Sequence, residues 1–189
     1  MTYKSIIDLY LHKQMNCFLS KIQELSGPKA TIYTISLDNG TDTLFNRFLE
    51  ENSKDAESEI INIVERIRVI GNETGAKFHF FKHKEGELGD GICALYDIPK
   101  KNIRLYCARY STGTIIIGGG GPKAKNIKAF QEDSKLKNEN YFLREVIKHL
   151  TEKMRDGEIK LIEKDTNMEF EGEFKLEIPN SNITEYFEN

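Results

Sequence analysis

Hydrophobic side chains recur at helical spacing near the start of the chain. Ile6, Tyr10, Leu11, Met15, Phe18, Leu19 and Ile22 fall on one face, and Ser26-Gly27-Pro28 ends the run. The pattern predicts a helix over residues 5–24, an accessory element within residues 1–30. TIYTISLD at 31–38 alternates as a half-buried strand does, and Asn39-Gly40 supplies a turn. Helical spacing returns with Leu44, Phe45, Phe48 and Leu49, and again from about Asp55 with Ile60, Ile63, Val64, Ile67 and Ile70. Gly71 to Gly75 stops the second helix, and the short polar join between the two predicts an antiparallel pair.

Beyond Gly75 the period shortens to two. KFHFFKH (77–83), GICALYDI (91–98), IRLYCARY (103–110) and GTIIIGG (113–119) are short, rich in β-branched and aromatic residues, and separated by turn residues. They predict an antiparallel meander, with GELGDG (86–91) and Ser111-Thr112-Gly113 as turns. Leu143, Ile147, Leu150 and Met154 predict a helix over 140–155. MEFEGEFKLEI (168–178) alternates again, with Met168, Phe170, Phe174, Leu176 and Ile178 on a dry face and four glutamates with Lys175 on the other. Its charge could protect a sheet edge or screen the basic strands. The expected fold is α+β: a helical hairpin packed on a twisted antiparallel β-sheet, with an added N-terminal helix and a C-terminal β extension. Residues 1–30, 31–156 and 157–189 are the corresponding divisions.

Composition adds limits. A chain of 189 residues with 39% hydrophobic content can bury a core. No apolar run approaches the ~20 residues of a membrane helix. Asp8, His12, Lys13 and Gln14 interrupt any signal-peptide core, so a cytoplasmic location is expected. Cys17, Cys93 and Cys107 have no metal-ligand spacing, and their odd number argues against a disulfide framework. The overall charge of -3 hides a segregation. Residues 76–128 hold ten Lys or Arg against four acids, while residues 157–189 hold nine acids against three bases. A basic segment inside an acidic chain is a candidate anion-binding surface.

The centre of that segment is KNIRLYCARYSTGTIIIGGGGPKAK (101–125). If its two β-like runs pair, Arg104, Arg109, Lys123 and Lys125 lie near one sheet edge, beside a glycine corner that lets backbone amides approach a phosphate. The corner is not a P-loop: Pro122 separates Gly121 from Lys123, and Ala124 offers no hydroxyl for magnesium. A Rossmann fingerprint fails for want of a following parallel unit. His79 and His83, four residues apart in an expected strand, span about 13 Å, too far for one ion. No metal or other cofactor is therefore expected. Tyr106 shares Arg104's face, whereas Arg109 falls on the other.

The succession of short helix, longer helix, Gly75-Ala76, FFKHKEGELGDGICALYD and IRLYCARYSTGTIIIGGGGPK resembles the RelE/HigB-like toxins of bacterial type II toxin-antitoxin systems, nearest to the phage-derived HigB group. The resemblance covers about residues 31–156. It implies a RelE-like fold and a metal-independent endoribonuclease that cuts mRNA, in many members on the ribosome, and is neutralised by an antitoxin, here expected to be a helix-turn-helix protein. Carried over by motif position, Arg104 would stabilise phosphate, with Lys123 next. Lys82, His83 and Lys84 match the family's basic turn, where His83 would act as the acid-base group. Lys125 and Arg109 would contact RNA, and Tyr106 would either stack on a base or pack in the core. GGGGPKAK departs from the family's usual ending, and no catalytic tyrosine or histidine follows the last matching strand.

Cleavage by the RNA's own 2'-hydroxyl needs a base, cations for the phosphorane charge and an acid for the leaving oxygen, all of which side chains can supply. Two alternatives stay open. One is a catalytically inactive or ParE-like member of the same fold. The other is a non-enzymatic protein-interaction module that uses the acidic C-terminal strand.

Overall fold

Two of the five strand pairings in the main sheet of this protein join segments that are far apart in sequence. The structure, a computed structural model, describes residues 14–37, 42–83, 85–86, 89–124, 130–165 and 167–179. Six strands make the main sheet: β1 (Gln14–Lys21), β2 (Thr31–Leu37), β3 (Ile92–Tyr96), β4 (Ile103–Arg109), β5 (Thr114–Pro122) and β8 (Lys175–Pro179). Their spatial order is β3-β4-β5-β2-β1-β8. All neighbours run antiparallel except β2 and β5, which are parallel, with Thr31 opposite Thr114 and Thr34 opposite Ile117. β6 (Ile159–Lys164) and β7 (Asn167–Gly172) form a separate two-stranded ribbon.

Each sheet face buries its own helices, which explains why the central strands read as continuous apolar runs rather than clean alternations. On one face lie α1 (Leu44–Ser53) and α2 (Glu57–Val69), with a π-helical turn at Ile70–Thr74. Phe45, Phe48, Ile60, Ile63 and Ile67 pack there against Ile32, Leu95, Leu105, Ile115 and Ile117. Thr43 caps α1, its hydroxyl accepting the Asn46 N–H. On the other face lies α3 (Ser134–Arg155), capped by Asp133, with Phe142, Leu143, Val146, Ile147 and Leu150 against Tyr33, Ile35, Tyr106, Ala108 and Ile116. The β6–β7 ribbon docks beside it: the Phe170 N–H donates to the Tyr33 hydroxyl at 3.0 Å, and the two rings meet edge to face at 5.2 Å.

The architecture is α+β, as expected, but the sheet is mixed and is covered on both faces. Within the predicted N-terminal helix, residues 14–21 form β1 instead. Met15, Cys17 and Leu19 are buried in strand alternation, because β1 pairs with β2 on one side and β8 on the other. Met15 and Leu19 satisfy both periods, and long-range pairing selects the strand. The predicted strand over 77–83 is a 3₁₀ turn at Phe78–Phe80 followed by one isolated bridge between Lys82 and Ala94. The predicted strand over 168–178 divides into β7 and β8, with Gly172 at φ 131° ending the first. Its ion-paired acids meet lysines of β1, β6 and β8: Glu169 pairs with Lys21 and Lys164, and Glu177 with Lys175. No screening of Arg104 by this strand is seen among the described residues.

The glycine corner is the largest revision. Gly118 to Gly121 are buried inside β5 rather than placed in a loop. β4 and β5 slip register between Leu105, opposite Gly120, and Cys107, opposite Ile117, so Gly118 and Gly119 together face Tyr106 in a β-bulge. A β-carbon on Gly118 would stand 2.9 Å from Leu143, one on Gly119 would overlap the Glu139 carboxylate, and one on Gly120 the carbonyl of Arg104. Gly118 and Gly119 let α3 lie close to the sheet, and Gly120 lets β4 approach β5.

Candidate nucleic-acid interface

β4 opens under tight control. The Asp97 carboxylate accepts the Ile103 N–H at 2.7 Å, fixing the start of the strand and hence the face on which Arg104 emerges. Alternation directs Arg104 and Tyr106 to the α3 side, as the sequence predicts. Arg104 is not open to solvent. Its Nη1 group donates to both oxygens of Glu85, at 3.0 and 3.1 Å, and Lys82 Nζ stands 2.5 Å from Glu85 Oε1. Lys82 and Ala94 exchange two main-chain hydrogen bonds, which fixes the segment carrying Lys82 and Glu85 against the sheet. Asn140 of α3 completes the attachment, its Nδ2 donating to the Glu85 carbonyl at 2.6 Å.

Two cations from separate segments thus converge on one carboxylate, an arrangement equally suited to an anionic phosphate oxygen. Tyr106 is fully buried beside this cluster, so its ring is a core residue and presents no face to a base. Burial chiefly, and the nearby Glu85 charge next, raise its hydroxyl pKa, so the phenol stays protonated. His83, half-buried, adjoins the cluster in sequence; its Nε2–H donates to the Phe78 carbonyl at 2.6 Å, and the tautomer this requires leaves Nδ1 as the ring's acceptor when neutral.

Of the remaining expected residues, Arg109 lies at the far end of β4, Lys123 lies near its start, two residues beyond the Gly121 that faces Arg104, and two fall outside the described residues. Arg109 spends its Nε on the Ala76 carbonyl at 2.6 Å. Lys123 follows β5, its main-chain N–H bound to the Asn102 carbonyl at 2.6 Å. Lys84 and Lys125 fall outside the described residues.

Sequence reasoning missed the carboxylates. Glu85 precedes the GELGDG turn and reads as one more loop acid; its signal is its place three residues after Lys82 in a basic run. Glu139 is buried under α3 over Gly119, with Lys135 Nζ at 2.6 Å. Burial raises its carboxyl pKa, and Lys135 offsets this in part. Asn138, Glu139 and Asn140 are buried where α3 would otherwise carry apolar residues, a polar stretch opposite the start of β4 and the end of β5.

Other chemistry finds less support. Among the described residues no group of three or more His, Cys, Asp or Glu is placed to hold a metal ion. The three cysteines are buried and in no disulfide, and burial pushes Cys93 up to about 12, a poor nucleophile. A cleft of about 1240 Å³ runs between α3 and the end of β4. Its charges are mixed: Arg109, Arg144, Lys148 and Arg155 line it with Asp90, Glu145 and Glu152, and Arg144 lies 3.5 Å from Asp90. Among the described residues no helix is long and apolar enough to cross a membrane. Comparison with protein-family models, curated proteins and solved structures finds no match for this chain.

Proposed function

We propose that this protein is an RNA-directed toxin of the RelE/HigB-like kind, cleaving mRNA without a metal ion by 2'-hydroxyl attack. The observation that carries the reading is the convergence of Lys82 and Arg104 on Glu85, with His83 adjoining. The chain order also supports it: strand β2, two helices on one face, then the meander β3-β4-β5 whose last strand returns beside β2. In this reading Lys82 and Arg104 hold the phosphate, Nδ1 of His83 accepts the 2'-hydroxyl proton, and the imidazolium so formed returns that proton to the leaving oxygen. Substrate entry requires phosphate to replace Glu85 at the guanidinium. A helix-turn-helix antitoxin would neutralise the protein, and the ribosome would present the mRNA.

The test combines expression with purified protein. Growth arrest with fragmented mRNA, and RNA cleavage that survives a chelator, are expected. The folded double variant Lys82→Ala/His83→Gln should lose cleavage. Persistent cleavage would remove the site assignment, and intact mRNA during arrest would remove the ribonuclease reading. One observation favours a second reading, an inactive or differently targeted member of the fold: Arg104 is buried and already paired with a carboxylate.

A further inference from the structure

Two aromatic side chains leave the core where the backbone is most firmly held. Ala76 and Phe81 are buried, yet the 3₁₀ turn between them puts Phe78 and His79 into solvent, with Phe78 66% exposed. The turn has fixed ends. The Ala76 N–H donates to the Thr112 carbonyl at 2.7 Å, Arg109 holds the Ala76 carbonyl, and Lys82 pairs with Ala94 through two bonds of 2.9 and 3.0 Å.

The exposed Phe78 ring is held in a stack. Phe78 lies against the His83 imidazole with centroids 3.4 Å apart and planes within 8°, and the bond from His83 Nε2–H to the Phe78 carbonyl keeps the two rings parallel. One face of Phe78 is therefore occupied and the other is open. His79 lies tilted against Phe80, with centroids 4.5 Å apart and planes at 31°, and the Arg66 guanidinium sits 5.4 Å from the centre of the Phe80 ring. Residues 76–84 include three lysines and two histidines and no acid. Flat open rings framed by cations are what unpaired nucleobases and their phosphates require, because every base has a stacking face and every linkage a negative charge.

We propose that the Phe78–His83 stack, with Lys77 next to Phe78 in the chain and Arg66 on the neighbouring Phe80, is a binding platform for single-stranded RNA, in which a base lies on the open face of Phe78. The inference rests on the RNA-directed reading and extends it: the platform binds, and the Lys82–Glu85–Arg104 cluster next along the chain acts on phosphate.

The experiment measures fluorescence anisotropy of a labelled short RNA carrying 2'-O-methyl riboses, which cannot be cut by 2'-hydroxyl attack. A matched abasic strand serves as control. Phe78→Ala should weaken binding of the base-bearing strand by about tenfold, the scale of one lost stacking contact. Phe78→Trp should restore it, and the abasic strand should bind wild type and Phe78→Ala alike. Since Phe78 is largely exposed, unchanged urea unfolding should accompany both substitutions. Equal affinity of wild type and Phe78→Ala for the base-bearing strand would overturn the proposal, as would an equal loss on the abasic strand or no RNA binding by wild type. Cleavage is not read here. A Phe78-dependent affinity in a protein that cuts no RNA leaves the platform standing and removes the ribonuclease, whereas cleavage without that dependence does the reverse.

Discussion

Arg104 and Glu85 meet inside the protein, with one guanidinium nitrogen shared between both carboxylate oxygens and side-chain exposures of 9% and 1%. Removing Arg104 leaves the buried Glu85 carboxylate with Lys82, 2.5 Å away, as its one remaining cation among the described residues, while replacing both Arg104 and Glu85 with apolar residues removes the buried charges. Arg104→Met should therefore destabilise, by less than the about 3–5 kcal/mol of a fully stranded charge, and Arg104→Met/Glu85→Leu should recover most of that loss. Urea unfolding of the two variants decides it. A double variant no more stable than Arg104→Met would show that the pair is not the unit that matters. This coupling is why the functional test rests on Lys82 and His83 rather than on Arg104 alone.

Glu139 gives the stability a pH dependence of known sign. Its folded-state pKa lies above the ordinary carboxyl value of 4.5, because burial, with the like charge of Glu51 adding to it, outweighs Lys135 and Arg47. The folded protein thus binds more protons than the unfolded chain between those two values, and stability falls as pH rises through that window. The full contribution is present below the unfolded pKa and is lost above the folded one. Glu139→Gln removes the titration, so its stability relative to wild type should increase from about pH 4.5 towards neutrality. A difference that stays flat across this range would contradict the assignment.

The glycine run predicts a contrast between neighbours. A β-carbon on Gly120 meets the Arg104 main-chain carbonyl, which cannot step aside without breaking the β4·β5 ladder. On Gly121 the nearest atoms are Lys135 Cγ at 3.7 Å and Leu136 Cδ2 at 3.9 Å, ordinary contact. Gly120→Ala should cost about 2 kcal/mol or more through overpacking, and Gly121→Ala should fall within about 0.5 kcal/mol of wild type. Thermal unfolding of the pair measures it, and equal costs would refute the close-approach explanation.

What the sequence disclosed follows from what is local. α1, α2, β3 and β4 were legible because their apolar periods and turn residues lie within a dozen positions. β1 was not, since Met15 and Leu19 fit either period and only pairing with Leu37 and Ile178, far along the chain, selects the strand. The four glycines misled for a related reason: glycine in a sequence signals flexibility or close approach alike, and the deciding neighbours, Glu139 and Leu143, arrive from a later helix. At the candidate site the face of Arg104 followed from alternation. Its partner Glu85 did not, because burial of a loop acid depends on how the segment after Lys82 folds back onto β3. Tyr106 illustrates the limit most simply, since whether it is core or surface is set by α3, which alternation in β4 cannot report.

The platform and its surrounding cations should separate in salt. Each phosphate neutralised on single-stranded nucleic acid contributes about -0.7 to the slope of log affinity against log salt concentration, whereas a stacked base contributes almost nothing. Lys77 is exposed and next to Phe78 in the chain, so Lys77→Ala should make the slope shallower by about 0.7 while lowering affinity at low salt. Phe78→Ala should lower affinity at every salt concentration with the slope unchanged. Anisotropy titrations over a salt series distinguish the two. A slope that shifts with Phe78→Ala, or holds with Lys77→Ala, would mean that ring and charge do not divide base and phosphate between them.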